Sequence, residues 1–137
     1  MIYILFLFMG CTFFDSNEKY FEKEYHENGK IKYDIQKKND IMHGVAKYWD
    51  ENGFLINEVE YFNNTFHGLW REYYKNGKLK YSVTYQYGLK DGYEHWFYEN
   101  GQKKSETSYN KGEILGDTIR WNEDGGLFYK WFWKKNI

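Results

Sequence analysis

The residues of this chain most able to do chemistry are its histidines and its single cysteine. His43 and His67 stand 24 residues apart, each directly before a glycine. On neighbouring β-hairpins such positions lie about 9.6 Å apart, and we do not expect the two rings to share a zinc ion. Cys11 is the only cysteine, which excludes an intrachain disulfide and a multi-cysteine metal site.

No arrangement of nucleophiles, acids and bases matches a catalytic motif. The sequence lacks a phosphate-binding loop, a serine elbow and any zinc-ligand spacing. Glu24 with Lys32, and Glu72 with Lys80, are predicted to face each other across hairpins as weak surface ion pairs. These observations predict a protein that is not an enzyme and that uses no metal and no cofactor.

Composition narrows the class of protein further. The 137 residues suffice for one domain, and 19 basic against 20 acidic residues give a net charge of −1, without the basic surplus typical of nucleic-acid binding. Aromatic residues make up 23% of the chain, whereas disordered chains are poor in them. We therefore expect a folded single domain with no nucleic-acid partner.

An Asn-Gly dipeptide recurs at a fixed interval along the chain. It occurs in the stretch HENGK and then every 24 residues, with Asp124 replacing the asparagine at the last occurrence. A second glycine series follows the same interval, at predicted strand starts. Such a fixed period is the signature of a repeat architecture, so both series are predicted to be structural turn positions. The two series are Gly29, Gly53, Gly77, Gly101 and Gly125, and Gly44, Gly68, Gly92 and Gly116.

Each repeat is predicted to be two strands around one tight turn. Leu79 and Val83 stand two and six residues after Gly77, with polar residues between them, which is the period-two pattern of a strand. A three-residue loop with glycine in the left-handed region would set Tyr73 opposite Leu79, whereas a two-residue turn would pair Tyr73 with Lys80. The hydrophobic pattern favours the three-residue loop, which also accounts for the glycine.

The predicted fold is all-β. It is an elongated antiparallel β-meander of repeated β-hairpins, with four full 24-residue repeats and a partial fifth, and with contacts mainly between neighbours. We assign residues 1–19 to a leader and linker and residues 20–137 to the repeat domain. The connections between repeats use one position that tolerates positive φ, held by Asp40, Asn64, Gly88 and Gly112.

The repeat YYKNGKLKYSVTYQYGLKDG, residues 73–92, resembles the bacterial variant of the MORN repeat (membrane occupation and recognition nexus). The chain is similar in particular to the YwqK-family antitoxins, over about residues 20–133. The resemblance implies a non-catalytic scaffold that binds a protein partner, which is a toxin in the antitoxin class. The MORN name suggests the alternative of a membrane-associated, lipid-binding or membrane-organising module, although near-neutral charge argues against strong attraction to anionic lipid.

The N-terminal stretch MIYILFLFMGC resembles a bacterial lipoprotein signal, in which the cysteine is lipidated and the preceding segment is removed. The apolar run is too short for a transmembrane helix. This pattern predicts lipidation of Cys11 and a lipid-anchored or secreted protein of the cell envelope, which meets the membrane only through its anchor. The alternative is a hydrophobic first strand that caps the sheet of a cytoplasmic protein.

Aromatic residues on the second face of the predicted sheet are the candidates for partner binding. In the bulged register they point away from the row of Tyr25, Trp49 and Tyr73, and they concentrate in the central repeats. A contiguous exposed aromatic patch is typical of an interface, whereas rings on both faces could equally stabilise a single twisted sheet. The five candidates are Tyr48, Trp70, Tyr74, Trp96 and Tyr98.

Overall fold

A computed structural model of the protein describes residues 18–131. These residues form ten antiparallel strands in a single open sheet, whose order across the sheet is the order along the chain. Each strand pairs only with its sequence neighbours, which confirms the predicted all-β meander of repeated hairpins. The strands are β1 (Lys19–Tyr25), β2 (Ile31–Lys38), β3 (Ile41–Trp49), β4 (Leu55–Phe62), β5 (Thr65–Tyr73), β6 (Leu79–Gln86), β7 (Leu89–Phe97), β8 (Lys103–Asn110), β9 (Glu113–Trp121) and β10 (Leu127–Trp131).

The Asn-Gly corners have the predicted three-residue loop. In the first corner the N–H of Gly29 donates to the carbonyl of His26 at 2.9 Å, and the N–H of His26 donates to the carbonyl of Lys30 at 2.8 Å. Gly29 has a φ of 79°, the left-handed value that a side chain disfavours. Tyr25 consequently lies opposite Ile31, as the hydrophobic pattern predicted. The same register places Trp49 opposite Leu55, Tyr73 opposite Leu79, and Trp121 opposite Leu127.

The connections between repeats are two-residue turns in which both residues have positive φ. In the turn after β6, Tyr87 has a φ of 48° and Gly88 one of 82°. Two successive positive φ values define the type I′ turn, whose twist matches that of the flanking strands. The sequence pattern pointed to the second residue of each turn only. The first residues, also at positive φ, are Asn39, Asn63, Tyr87 and Lys111.

The second glycine series lies inside strands and not at their starts, which corrects the sequence-based prediction. Gly68 is the fourth residue of β5, with a φ of 108°. The register there shifts from Val59 opposite Trp70 to Tyr61 opposite Phe66, so that Glu60 alone spans three residues of β5. This irregularity is a β-bulge, and the glycine leaves room for the Glu60 side chain. Equivalent bulges contain Gly44, Gly92 and Gly116.

The asparagine of the corner links consecutive repeats. Asn28 Oδ1 accepts the backbone N–H of Lys30 at 3.0 Å in its own turn, while its Nδ2 donates to the carbonyl of Glu51 in the next turn at 2.6 Å. Asp124, in the last described corner, keeps the local bond, to the N–H of Gly126 at 2.9 Å, but a carboxylate has no N–H to donate onward. The same link recurs from Asn76 to Glu99 at 3.1 Å and from Asn100 to Glu123 at 2.9 Å, whereas in the second corner Asp50 Oδ1 accepts the N–H groups of Asn52 and Phe54.

Replacing Asn76 with Asp is expected to lower the free energy of unfolding by about 1 kcal/mol. The substitution keeps the local acceptor, but it removes the donor to Glu99 and sets a negative oxygen against that carbonyl. Chemical denaturation followed by circular dichroism measures the change. The reverse substitution Asp124→Asn is the control and is expected to leave stability unchanged; an equal effect of both would show that the link between repeats contributes nothing.

The buried residues all lie on one face of the sheet. Directly opposite residues of antiparallel strands project to the same face, and the register sets Ala46 opposite Ile35 and Val59. In residues 18–131 no second layer covers them, so burial comes from large side chains on the same face. Tyr81, for example, is 8% exposed and its ring lies 4.4 Å from that of Trp96. This side, the core face, carries Ile35, Ala46, Val59, Tyr81, Val83 and Thr107.

Candidate protein-binding surfaces

The opposite side of the sheet, the charged face, carries a row of paired charges that crosses the strands. Lys47 Nζ lies 2.9 Å from Glu58 Oε1, and Arg71 lies 3.7 Å from Glu58 Oε2. Because the signs alternate across β1 to β5, the charges there largely cancel; in β6 the row holds Ser82, and beyond it His95 Nε2 lies 3.0 Å from Glu106 Oε2. The row comprises Lys23, Asp34, Lys47, Glu58, Arg71, His95 and Glu106.

Glu58 illustrates how this row is held. Partial burial by itself would raise its pKa, but the Tyr73 hydroxyl, which donates to Oε2 at 2.6 Å, and the ammonium of Lys47 hold the pKa of Glu58 below its usual value. Burial, together with the same hydrogen bond, raises the pKa of Tyr73 to about 12. At neutral pH Glu58 is therefore ionised and Tyr73 is a neutral donor, so the pair supports structure and does not exchange protons.

Three of the five predicted binding residues lie on the core face. Trp70 stands opposite the buried Val59 and Val83, and its ring lies 5.1 Å from Phe66 and 6.1 Å from Tyr85. Tyr48 and Trp96 project to the same side, where they pack on Tyr33 at 6.3 Å and on Tyr81 at 4.4 Å. These residues do point away from Trp49 and Tyr73, as predicted, but the side they point to is the core. Their packing therefore agrees with the alternative prediction, in which rings on both faces stabilise a single sheet.

The other two predicted residues join consecutive repeats. Tyr74 and Tyr98 follow their strands directly, at the beginning of a corner. The Tyr74 hydroxyl donates to the carbonyl of Phe97 at 2.7 Å, and the Tyr98 hydroxyl donates to the carbonyl of Trp121 at 2.9 Å. His26 occupies the same position in the first repeat and its Nε2 lies 2.9 Å from the carbonyl of Trp49. Their polar ends therefore satisfy backbone groups at the ends of the next hairpin.

The structure exposes a different aromatic cluster at the turns between the central repeats. Phe62 is 42% exposed, and its ring lies 5.0 Å from His43 and 5.7 Å from His67. Tyr87 is 67% exposed and packs on His67 at 4.7 Å and on Phe62 at 6.4 Å. We call this cluster of His43, Phe62, His67 and Tyr87 the turn patch. Sequence reasoning missed it, although Tyr87 departs visibly from the asparagines at the equivalent positions 39 and 63.

The two histidines of the turn patch interact with the turns. His43 Nδ1 lies 3.2 Å from Asn63 Oδ1, and His67 Nδ1 accepts the backbone N–H of Tyr87 at 3.3 Å. Within residues 18–131, no three histidine, cysteine or carboxylate side chains gather where a metal ion could bind. The same range also contains no helix long and apolar enough to span a membrane.

Comparison with known protein families agrees with this hairpin organisation. The model of the MORN repeat variant matches residues 22–39, 42–63, 66–87 and 90–111, and the four matches together cover more than half of the chain. Each match spans one hairpin: β1–β2, β3–β4, β5–β6 and β7–β8. No curated protein shows a significant match to the chain. Because four consecutive repeats match this family and the sheet is built from them, the chain belongs to the MORN repeat variant family.

Proposed function

We propose that this protein is a non-catalytic scaffold that binds another protein through the turn patch. The observation that carries the proposal is Tyr87, a large aromatic residue held at a φ of 48° in a turn and left 67% exposed. A residue with a side chain pays roughly 1–2 kcal/mol for this left-handed conformation. Lys111 has nearly the same φ, 49°, in the next turn, so what distinguishes Tyr87 is a large exposed ring at this position. Tyrosine is also among the residues that most often dominate binding energy.

The surroundings of Tyr87 suit a protein interface. Its ring rests on His67 and Phe62, which restricts the side chain before a partner arrives and so reduces the entropy lost on binding. Leu89, two residues further along the chain, is also exposed. Exposed aromatic and aliphatic side chains bordered by polar groups are the usual composition of a protein-binding patch.

Replacing Tyr87 with Asn, the residue at positions 39 and 63, is expected to weaken partner binding about thirtyfold, the loss typical of a hot-spot residue. The free energy of unfolding is expected to stay within about 1 kcal/mol of the original, because relief of left-handed strain offsets the lost ring contacts. Capture of the partner by immobilised protein from a lysate of the source cells, quantified by mass spectrometry, measures the first effect.

Tyr25→Asn is the matched control, because Tyr25 is also exposed but lies in the first hairpin. It is expected to keep full capture. Unchanged capture by a folded Tyr87→Asn variant would refute the turn patch as the binding surface.

For the partner itself we propose a toxin that the scaffold neutralises. The support is the likeness of residues 73–92 to the repeats of the YwqK-family antitoxins. Co-expression with the product of a neighbouring toxin-like gene tests the assignment: cells should survive with the original protein and die with Tyr87→Asn. Survival that does not depend on the scaffold would contradict it.

For location we propose a cell-envelope protein anchored through Cys11, a residue that lies outside the described part of the chain. The lipoprotein-like stretch that ends at Cys11 supports this proposal. Metabolic labelling with a fatty-acid analogue in bacteria is expected to mark the protein, and the label should disappear in Cys11→Ala. Equal labelling of both proteins would contradict the proposal.

A further inference from the structure

A groove on the core face, between β7 and β10, departs from the pattern of the other repeats. Ser105 lies directly opposite Trp96 on one neighbouring strand and Arg120 on the other. One repeat earlier, Tyr81 occupies the equivalent position and fills the space beside Trp96 with its own ring. With serine in place of tyrosine, a cavity of about 370 Å³ remains above Ser105, within the size range of small-ligand sites.

Lys104 at this groove lacks the acidic partner that its equivalent has one repeat earlier, and Arg120 stands where the acidic Glu72 is found two repeats earlier. Lys80 pairs with Glu72 at 3.4 Å across its hairpin. Lys104 is the equivalent of Lys80 one repeat later. The position equivalent to Glu72 holds Trp96 in that repeat and Arg120 in the following one. Across residues 18–131, no carboxylate lies within ion-pair distance of Lys104 or Arg120. The groove therefore carries two positive charges that are not paired with an acidic side chain of the described residues.

Aromatic side chains form the walls between these cations. Lys104 Nζ lies 5.4 Å from the centroid of the Tyr98 ring, and the hydroxyl of Tyr98 is held by the carbonyl of Trp121. Trp96 is 38% exposed and Phe128 is 68% exposed, so both offer apolar surface to a ligand. The site thus combines flat apolar walls with an ammonium and a guanidinium whose donors are not used by an acid.

We propose that this groove binds a carboxylate carried next to an aromatic or aliphatic group, as at the C-terminal residue of a peptide. The guanidinium of Arg120 matches a carboxylate with two parallel N–H donors, and Lys104 adds a second charge-assisted bond. The adjacent rings accept the apolar group. The groove lies on the core face and the turn patch on the charged face, so this inference does not depend on the turn patch.

The test is a titration of the full chain with N-acetylphenylalanine and, separately, with its primary amide, which has the same ring and no charge. Binding is followed by the NMR signals of the tryptophan indole and Arg120 guanidinium N–H groups. The acid is expected to bind about tenfold more tightly than the amide, and added salt should weaken its binding. Equal affinity of the two probes would overturn the proposal, as would saturable shifts with phenyl phosphate but none with the acid.

Charge-removing variants locate the effect. Arg120→Gln and Lys104→Gln should each weaken binding of the acid about fivefold or more, with the dispersion of the spectrum preserved. Lys80→Gln is the matched control, because Lys80 is the equivalent lysine with its acid in place, and it should leave the affinity unchanged. Equal losses in all three variants, or no loss in Arg120→Gln, would overturn the assignment.

Discussion

Trp70→Ala is expected to lower the free energy of unfolding by about 3 kcal/mol. Trp70 lies opposite the buried Val59 and Val83, so truncation exposes these side chains to water at the centre of the core face. It also removes ring contacts with Phe66 and Tyr85. Denaturation with guanidinium, followed in parallel by circular dichroism and fluorescence, measures the change and shows whether the repeats unfold together.

Trp96→Ala provides the comparison for this prediction. Trp96 is an indole on the same face but is more exposed, and its ring contact is with Tyr81 at 4.4 Å. We expect a loss of about 1–2 kcal/mol, because less apolar surface returns to water. If Trp70→Ala melts like the original protein, Trp70 has no part in the core and becomes available again as a binding residue.

Gly68→Ala is expected to destabilise the sheet by about 3 kcal/mol or more. At a φ of 108° a side chain is already strained. The added methyl group would also overlap Oε2 of Glu60 and lie 2.9 Å from its Cβ, and the Cβ cannot move without the strand. Thermal and chemical denaturation measure the combined cost.

Gly92→Ala separates the two contributions to that cost. Gly92 occupies the same bulge one repeat later, at a φ of 104°, but a methyl group there meets only Thr84, at an ordinary 3.6 Å. The backbone strain alone is therefore expected, about 1–2 kcal/mol. Equal losses at Gly68 and Gly92 would mean that the Glu60 side chain moves aside at no cost.

Local chemistry was sufficient to predict the repeat and its hairpins. The 24-residue period, the alternation around Leu79 and Val83 and the glycine of each corner reflect the geometry of single strands and turns. Such features depend on residues close in sequence, so the register of Tyr73 opposite Leu79 could be derived before any strand pairing was known. Family membership followed from the same local pattern.

The second glycine series shows where local reasoning failed. From the sequence we placed Gly68 at a strand start, because glycine is depleted inside strands. Its real position in a bulge depends on the neighbouring strand, where Glu60 spans three residues of β5. In the same way, the pattern identified the glycine of each corner but not the role of Asn28, whose second bond ends on Glu51 in the next repeat.

Only the tertiary structure decided which face is buried. Both faces of each strand carry aromatic residues, so alternation alone could not assign Trp70 to the core or leave Tyr87 exposed. Burial in a one-layer sheet depends on the sizes of side chains brought together from several strands, as Val83 is enclosed beside Trp70. The groove above Ser105 also depends on several strands. The small side chain leaves space between Trp96 and Arg120, which are its neighbours on β7 and β9.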